Sequence, residues 1–235
     1  TQKIDRIYGC HNIPGYPLGQ VLLRGGVFAC ASKGMTIHIV GRQSHAAYPE
    51  QGAGPGPLMG EVLQQLQSWC HLPQYHGLVL ATLVGLQAGS RNFGISAGEG
   101  EINLTLRAER LEDLLLLQQT IETTVLAAAQ KQGLAAEFCY VDEFPDTVND
   151  AALVAKLAQV LAAAGIPVAT LAQPMRWSED FGWYLKRYPG VYFGVGAGQG
   201  TPGLHTDGYA YPPALLGPMA DSWCALMAGG TPQIK

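Results

Sequence analysis

The sequence predicts an α/β protein of two domains, one inserted into the other. In the middle of the chain, residues 33–145 give the order strand, helix, strand, strand, helix, strand, which is the ferredoxin-like βαββαβ arrangement. On either side, short apolar strands alternate with helices, a pattern typical of a parallel sheet covered by helices. We therefore predict a partial parallel-sheet α/β domain from residues 1–32 and 146–235, with an inserted ferredoxin-like domain at 33–145.

Length and composition exclude several classes of protein. The chain has 235 residues, a size at which a core can be buried without disulfides or structural metals. Its formal net charge is -4, so it lacks the basic surface that binds nucleic acid or an anionic membrane. No apolar run reaches the roughly 18 residues of a membrane span, and the start of the chain has no signal-peptide pattern. We expect a cytoplasmic protein that binds neither nucleic acid nor membrane.

The spacing of the five cysteines indicates neither a disulfide framework nor a zinc site. They are odd in number and none is spaced as Cys-x-x-Cys, so neither disulfides nor a cysteine zinc cluster is predicted. Most are expected to be small buried hydrophobic residues. Cys10 adjoins His11, and for this thiol a functional role is the alternative to burial.

The elements of the inserted domain follow from hydrophobic periodicity. Residues 35–40 alternate apolar and polar side chains as in a half-buried strand, with His38 on the polar face. Pro57 suits the first turn of one helix and Gly133 suits the end of another. The remaining predicted elements are helices 57–69 and 111–132 and strands 78–87, 101–107 and 138–141. The small residues Cys30-Ala31-Ser32 predict a hinge before the first strand.

The flanking parts contain short strands and helices. An apolar strand ending near His11, a Gly/Pro-rich loop and a second apolar run at 20–24 open the chain. Asn149 and Asp150 are N-cap candidates for one helix, and Ser178 is the candidate for another. The predicted elements are helices 151–164 and 179–187 and strands 168–171 and 190–196. The last of these strands is apolar throughout and is predicted to be buried on both faces.

Three of the six histidines, His11, His45 and His205, lie in loops at predicted strand ends, where a neutral imidazole can reach a metal ion. His205 follows a buried strand at the carboxyl end of the sheet, which is where α/β proteins place ligands. Glu179 and Asp180 precede it in the chain. Their carboxylates could bind a metal or orient an imidazole, and a helix-capping role explains them equally well.

Several motifs in one order carry a resemblance to a known family. They are Gly9-Cys10-His11-Asn12-Ile13-Pro14-Gly15 with Pro17-Leu18-Gly19, Gly41 with Ser44-His45-Ala46-Ala47 and Pro49, Ser178-Glu179-Asp180-Phe181 with Pro189-Gly190, and Leu204-His205. Together they resemble the signatures of the M20-type metal-dependent amidohydrolases and aminoacylases, of the hippurate hydrolase kind. The resemblance implies a catalytic α/β domain with an inserted lid domain that usually forms a homodimer. It also implies hydrolysis of amide bonds in N-acyl amino acids or small peptide-like amides.

The resemblance assigns roles residue by residue. His11 and His205 resemble metal ligands, and the metal would be zinc, manganese, nickel or cobalt. His45 in the lid resembles the histidine that stabilises the oxyanion of the tetrahedral intermediate, often in the site of the partner subunit. Asn92 and Arg107 resemble lid residues that contact the substrate.

The resemblance also implies parts that this chain does not contain. Family members carry an earlier His/Cys-rich metal motif ending in Asp, then a Glu-Glu pair that supplies the general base and a further ligand. No Glu-Glu pair occurs in this sequence, so we expect an incomplete metal site and an inactive chain on its own. We also expect the shortened sheet to leave an unpaired edge that lowers solubility. The alternative is a non-catalytic remnant or an interaction module that dimerises through the lid.

Overall fold

The computed structural model describes residues 3–230 and divides the chain into two compact units. The outer unit comprises the chain up to Ala29, Thr147–Met175 and the chain from Glu179 onward. The inner unit comprises Cys30–Asp146 and the short segment Arg176–Ser178. The predicted roles of these parts, a catalytic domain and a lid, stay predictions.

The regular elements follow in this order along the described chain. The strands are β1 (Ile7–Ile13), β2 (Val21–Leu23), β3 (Gly26–Ala29), β4 (Ala31–Val40), β5 (Val79–Ala88), β6 (Glu99–Ala108), β7 (Ala135–Phe144), β8 (Thr147–Asn149), β9 (Val168–Thr170) and β10 (Gly190–Gly196). The α-helices are α1 (Gly56–Trp69), α2 (Leu111–Lys131), α3 (Ala151–Ala163), α4 (Gly182–Leu185) and α5 (Leu216–Gly230). Within residues 3–230, none of these helices is both long and apolar enough to cross a bilayer.

The outer unit is built on a mixed four-stranded sheet with the order β1-β10-β2-β9. β1 is parallel to β10 and β2 is parallel to β9, but β2 is antiparallel to β10. The prediction of a parallel sheet is therefore wrong for this pair of strands. Residues 14–20 join β1 to β2, and so short a loop returns the chain in the opposite direction, because parallel strands need a crossover of about a dozen residues.

Strand β10 lies at the centre of the core of the outer unit. Every residue of Gly190–Gly196 is buried, as the apolar composition of this strand predicted. Helices α3 and α5 pack on it with Leu157, Leu161 and Leu226. Asp150 caps α3 by accepting a hydrogen bond from the backbone N–H of Leu153, so its predicted N-cap role is confirmed.

The predicted helix over 179–187 is shorter in the structure. Only α4 is helical in this stretch, with Phe181 at its N-cap, so Ser178 is not an N-cap. The hydroxyl of Ser178 instead accepts a hydrogen bond from Arg107.

Helix α5 was not predicted, since Gly217 and Pro218 in its first turn have low intrinsic helix propensity. The antiparallel pair β3–β8 was not predicted either.

The inner unit is an antiparallel sheet with the order β5-β6-β4-β7, and α1 and α2 share one core with it. Its elements follow in the predicted order of strand, helix, strand, strand, helix, strand. The Cys30-Ala31-Ser32 stretch begins at the boundary between the two units, and its predicted role as a hinge stays a prediction. All three residues are buried, and the last two begin β4 by pairing with Ala108 and Arg107 of β6. The backbone hydrogen bonds of β4 thus begin at Ala31. The small side chains in this stretch give no alternation of apolar and polar residues from which a strand could be predicted.

Candidate functional site

The candidate site of the outer unit begins with His11 on β1. The Nδ1 atom of His11 is 2.7 Å from the carbonyl oxygen of Asn12. A carbonyl oxygen can only accept a hydrogen bond, so Nδ1 carries the proton, and a neutral ring then has a lone pair at Nε2. His11 therefore has the tautomer of an imidazole that binds a metal through Nε2.

The carboxylate of Glu179 faces this nitrogen. Its Oε1 atom lies 3.6 Å from Nε2 of His11, with exposed fractions of 21% for the Glu179 side chain and 29% for His11. This distance is longer than an ordinary hydrogen bond. In the neutral tautomer both atoms are electron-pair donors, which repel each other unless a cation or a proton lies between them. The pair therefore fits either an ion pair with protonated His11 or two ligands of a divalent metal ion.

Burial controls the electrostatics of Glu179. It raises the pKa of the carboxyl group above its ordinary value, and the neighbouring Asp180 adds to the rise. A positive charge on His11, present only when both of its ring nitrogens are protonated, and an interaction with the Tyr192 side chain lower the pKa without cancelling the effect of burial. A carboxylate that has lost part of its hydration gains more from a nearby cation than an exposed one does.

Gly9 lets this part of the site pack closely on β1. A Cβ atom at Gly9 would lie 2.6 Å from the ring of Phe181 and 2.7 Å from the ring of Tyr192. The two rings stack against each other with centroids 4.9 Å apart. Phe181, two residues after Glu179 in the chain, therefore packs close to β1.

His205 lies in an exposed loop after β10. Its backbone has φ of 60°, in the left-handed region that residues other than glycine adopt uncommonly. The loop is attached to β1, because the Asn12 side-chain amide donates a hydrogen bond to the hydroxyl of Tyr209. Among residues 3–230, no group of three or more His, Cys, Asp or Glu side chains is placed to hold a metal ion. His205 therefore does not complete a three-donor set with His11 and Glu179.

Two neighbours of the His11–Glu179 pair have other surroundings. Asp180 is exposed, and its backbone carbonyl accepts a hydrogen bond of 2.9 Å from Trp183 at the start of α4. Burial raises the pKa of the Cys10 thiol, which its hydrogen bond with Trp223 only partly offsets. A protonated thiol is a weak nucleophile, so Cys10 fits the buried alternative better than a functional one.

The candidate site of the inner unit consists of two paired loops. His45 forms a backbone bridge with Ile95, and Ser44 donates a backbone hydrogen bond of 2.8 Å to the hydroxyl of Ser96. The Nδ1 atom of His45 accepts a hydrogen bond of 3.1 Å from the backbone N–H of Ala47. A neutral ring then carries its proton at Nε2, which is a hydrogen-bond donor. In neutral His11, by contrast, Nε2 has the lone pair.

Asn92 lies in the second of these loops. Its Oδ1 atom accepts a hydrogen bond of 3.1 Å from the backbone N–H of Gly94. The carbonyl of Gly94 in turn accepts a hydrogen bond of 2.9 Å from the backbone of Ala46. The structure thus brings Asn92 and His45 into adjoining loops of one unit.

Arg107 on β6 binds a neighbouring segment of the chain. Its Nη1 atom donates to the carbonyl oxygen of Arg176 at 3.1 Å and to the hydroxyl of Ser178 at 3.0 Å. Part of the guanidinium group is therefore used to anchor Arg176–Ser178, the segment that immediately precedes Glu179.

Sequence reasoning missed two residues that support the site of the outer unit. Tyr192 stacks on Phe181, two residues after Glu179, and Asn149 binds the backbone of Tyr192. A signal was available for Tyr192, because an aromatic side chain in a strand that is buried on both faces must pack against a neighbour. No comparable pattern marked Asn149, which stands next to the helix cap.

The fold and the site define a two-unit α/β protein with an imidazole and a carboxylate placed as a candidate metal-binding pair. The sequence pattern of Peptidase family M20/M25/M40 matches residues 1–228, and the chain belongs to this family. The resemblance to the M20-type amidohydrolases is thereby confirmed.

Two curated relatives are named for the substrates they deacetylate. The chain is 27% identical over 204 residues to the N-acetyldiaminopimelate deacetylase of Exiguobacterium sibiricum, which covers 86% of this chain and 54% of that protein. It is 24% identical over 204 residues to the N-acetylcysteine deacetylase of Bacillus subtilis, covering 86% of this chain and 53% of that protein. The chain thus spans about half the length of these relatives.

Solved structures show the same fold. The Bacillus subtilis YXEP protein, described as a dinuclear metal-binding peptidase from the M20 family, superposes with a TM-score of 0.78 at 21% identity, covering 97% of this chain and 58% of that one. The aminobenzoyl-glutamate utilization protein from Klebsiella pneumoniae superposes with a TM-score of 0.75 at 18% identity, covering 99% and 56% of the two chains.

Proposed function

We propose that the whole protein hydrolyses the amide bond of N-acyl amino acids or small peptide-like amides with a divalent metal ion, and that this chain supplies part of its site. The observation that carries the proposal is the pairing of His11 Nε2 with the Glu179 carboxylate at 3.6 Å, with the tautomer of His11 set by Asn12. Membership of the M20 family and the names of the deacetylase relatives support the choice of reaction.

The chain contributes ligands to the proposed metal centre. His11 would bind through Nε2 and Glu179 through its carboxylate or by orienting the imidazole, while His205 is the further candidate ligand from its loop. A divalent ion bound there would polarise the amide carbonyl and lower the pKa of a bound water. Zinc, manganese, nickel and cobalt all suit imidazole and carboxylate ligands. The remaining ligands and the general base are proposed to lie in the part of the family sequence that this chain does not span.

The inner unit contributes the proposed catalytic histidine and the substrate contacts. His45 keeps its proton at Nε2 because Nδ1 accepts from Ala47, so it can donate to the oxyanion of a tetrahedral intermediate. The Asn92 side chain in the adjoining loop would bind the substrate. Arg107 would do so with the guanidinium nitrogens that do not bind the Arg176–Ser178 segment.

We propose that this unit serves as an inserted ferredoxin-like lid and also as the homodimer interface. Strand β5 lies at the edge of its sheet, and no other strand within residues 3–230 pairs with its outer side. Val84 is 66% exposed and Leu86 is 50% exposed on this strand, an apolar surface that a second copy would cover. A strictly monomeric chain at high concentration, measured by light scattering, would count against this assignment.

Metal binding tests the proposal directly. We expect His11→Gln to weaken binding of Zn²⁺, Mn²⁺, Ni²⁺ and Co²⁺ by more than about tenfold, measured by competition with a chromophoric chelator. His38→Gln is the matched control, because His38 lies on β4 of the inner unit and should leave affinity unchanged. Equal affinities for the wild type and His11→Gln would contradict the proposed centre.

A longer protein that includes the upstream family region tests the reaction itself. We expect it to release acetate from N-acetyl amino acids in a metal-dependent manner, while the 235-residue chain alone is inactive. A longer protein that binds no metal and hydrolyses none of these amides would favour the alternative, a non-catalytic module that dimerises through the inner unit.

A further inference from the structure

We infer that Ser96 is a positioning residue for His45, with a hydroxyl group that binds the loop carrying His45 to the loop carrying Asn92. The inference deepens the proposed function and rests on it for its catalytic consequence, because His45 is the proposed oxyanion donor. Its structural part, the binding of Ser96 to the backbone beside His45, can be tested in the 235-residue chain without any metal.

Ser96 binds both polar groups of the Ser44 backbone, each in a different way. The Ser44 carbonyl accepts a hydrogen bond of 2.9 Å from the backbone N–H of Ser96, as in an antiparallel sheet. The Ser44 N–H donates at 2.8 Å to the hydroxyl oxygen of Ser96 rather than to a backbone carbonyl. The two hydroxyl oxygens are also 3.0 Å apart, within hydrogen-bond distance. The side chain of Ser96 therefore acts where a backbone carbonyl acts in a regular pair of strands.

The contact between Ser44 and Ser96, the serine pair, is partly shielded from water. Both serines are half-buried, whereas His45 and Asn92 are exposed. Gly52 lies against the Ser44 hydroxyl, since a Cβ atom at this glycine would be 2.8 Å from Oγ of Ser44. Hydrogen bonds that are shielded from solvent hold their geometry more firmly than exposed ones. The serine pair is therefore suited to fix two loops whose functional side chains point into solvent.

His45 lies between the serine pair and a second link between the loops. On its other side, the backbone N–H of Ala46 donates to the carbonyl of Gly94 at 2.9 Å. The ring depends on the same short stretch, because its Nδ1 atom accepts a hydrogen bond of 3.1 Å from the backbone N–H of Ala47. The direction of the ring thus follows the backbone of residues 44–47, and the hydroxyl of Ser96 holds one end of that backbone.

A packing role alone would not require the hydroxyl of Ser96. Alanine would keep the backbone bond to the Ser44 carbonyl and would leave the charge of the loop unchanged. What alanine removes is the acceptor of the Ser44 N–H. Threonine keeps a hydroxyl on the same carbon, so it should preserve the contact if the hydroxyl is responsible for it.

The experiment compares Ser96→Ala, Ser96→Thr and Ser90→Ala in the 235-residue chain. Ser90→Ala is the matched control, because the Ser90 hydroxyl accepts a hydrogen bond from the backbone N–H of Asn92 in its own loop. Solvent-exchange NMR measures the amide hydrogen of Ser44, and the ¹³C resonances of the His45 ring report the surroundings of that ring. Thermal unfolding checks that each variant folds.

We expect Ser96→Ala to speed exchange of the Ser44 amide by about threefold or more and to shift the His45 ring resonances. Ser96→Thr and Ser90→Ala should resemble the wild type in both measurements. An unchanged exchange rate or unchanged ring resonances in Ser96→Ala would overturn the inference, and so would a Ser96→Thr variant that behaves like Ser96→Ala. If Ser96→Ala fails to fold, Ser96→Val replaces it with the same expected results, because valine has the shape of threonine without the hydroxyl.

Hydrolysis tests the catalytic consequence separately, in the longer protein that includes the upstream family region. We expect Ser96→Ala to lower kcat for N-acetyl amino acids by about tenfold and to leave KM nearly unchanged, because an oxyanion donor acts in the transition state. An active longer protein with an unchanged kcat in Ser96→Ala would overturn the positioning role. A wild-type longer protein that hydrolyses none of these amides would contradict the proposed function, while faster exchange at Ser44 in Ser96→Ala would still support the contact between the loops.

Discussion

Nε2 of His11 and Oε1 of Glu179 lie 3.6 Å apart, although β1 and the segment before α4 are distant in the sequence. The distance is too long for a hydrogen bond, and the carbonyl oxygen of Asn12 accepts a hydrogen bond from the other ring nitrogen. A partly buried imidazole and a partly buried carboxylate are therefore held facing each other. This arrangement fits an ion pair when His11 is protonated and two ligands of one cation when it is neutral.

The two candidate histidines are predicted to be opposite tautomers. We expect neutral His11 to carry its proton on Nδ1, because the carbonyl of Asn12 accepts it, and His45 to carry its proton on Nε2, because Nδ1 accepts from Ala47. Long-range ¹H–¹⁵N spectra at alkaline pH distinguish the two forms. The reverse assignment for His11 would remove the reason to regard Nε2 as its metal-binding atom.

Asn149 is predicted to be a main source of stability in the outer unit. We expect Asn149→Ala to lower the free energy of unfolding by about 2–4 kcal/mol, because it leaves the buried N–H and carbonyl of Tyr192 without partners. Asp150→Ala is the comparison, and removing this helix cap should cost about 1 kcal/mol. Urea unfolding measures both. If both variants lose the same free energy of unfolding, the hydrogen bonds of Asn149 contribute little to stability.

Arg107 is predicted to protect the segment that precedes Glu179 from proteolysis. Arg107→Met removes hydrogen bonds to Arg176 and Ser178, each of about 1.5–3 kcal/mol for a charged donor. We expect trypsin to cleave after Arg176 roughly tenfold faster in this variant, through more frequent local opening. Arg110→Met is the control, since Arg110 pairs with Glu112 at the surface. The same cleavage rate in both variants would rule out an anchoring role.

Cys30 is predicted to make stability fall at alkaline pH. Burial is the main cause that raises the pKa of this thiol from 9.0 to about 11, so the unfolded chain loses the proton first. Between these values the folded state binds more protons than the unfolded state, so the free energy of unfolding decreases as pH rises. The contribution of the protonated Cys30 thiol to the free energy of unfolding is fully present below pH 9 and is lost as the pH rises to about 11.

Urea unfolding across this pH range measures the effect. We expect Cys30→Ala to lose less stability than the wild type as pH rises, by an amount of the order of 2 kcal/mol. Cys139→Ala serves as the control, because Cys139 is exposed and should follow the wild type. Parallel curves for the wild type and Cys30→Ala would contradict the prediction.

The pattern of apolar residues was enough to find most of the elements. The helix predicted over 57–69 is α1, and the buried strand at 190–196 is β10. Both are long or strongly patterned, so local sequence determines them. The predictions were wrong where contacts between distant segments determine the local structure. Ser178 has the chemistry of a helix cap, but its hydroxyl binds Arg107 instead. The direction of β2 depended on pairing with β10, which periodicity does not report.

The sequence by itself determined the family, the order of the elements and the identity of His11, His45 and Glu179 as candidate site residues, because motifs and periodicity are local properties of the chain. Only the tertiary structure decided that Glu179 faces His11 and that Asn149 binds the backbone of Tyr192. These depend on distances between segments far apart in sequence. Packing sets such distances, through contacts such as those that Gly9 permits for Phe181 and Tyr192.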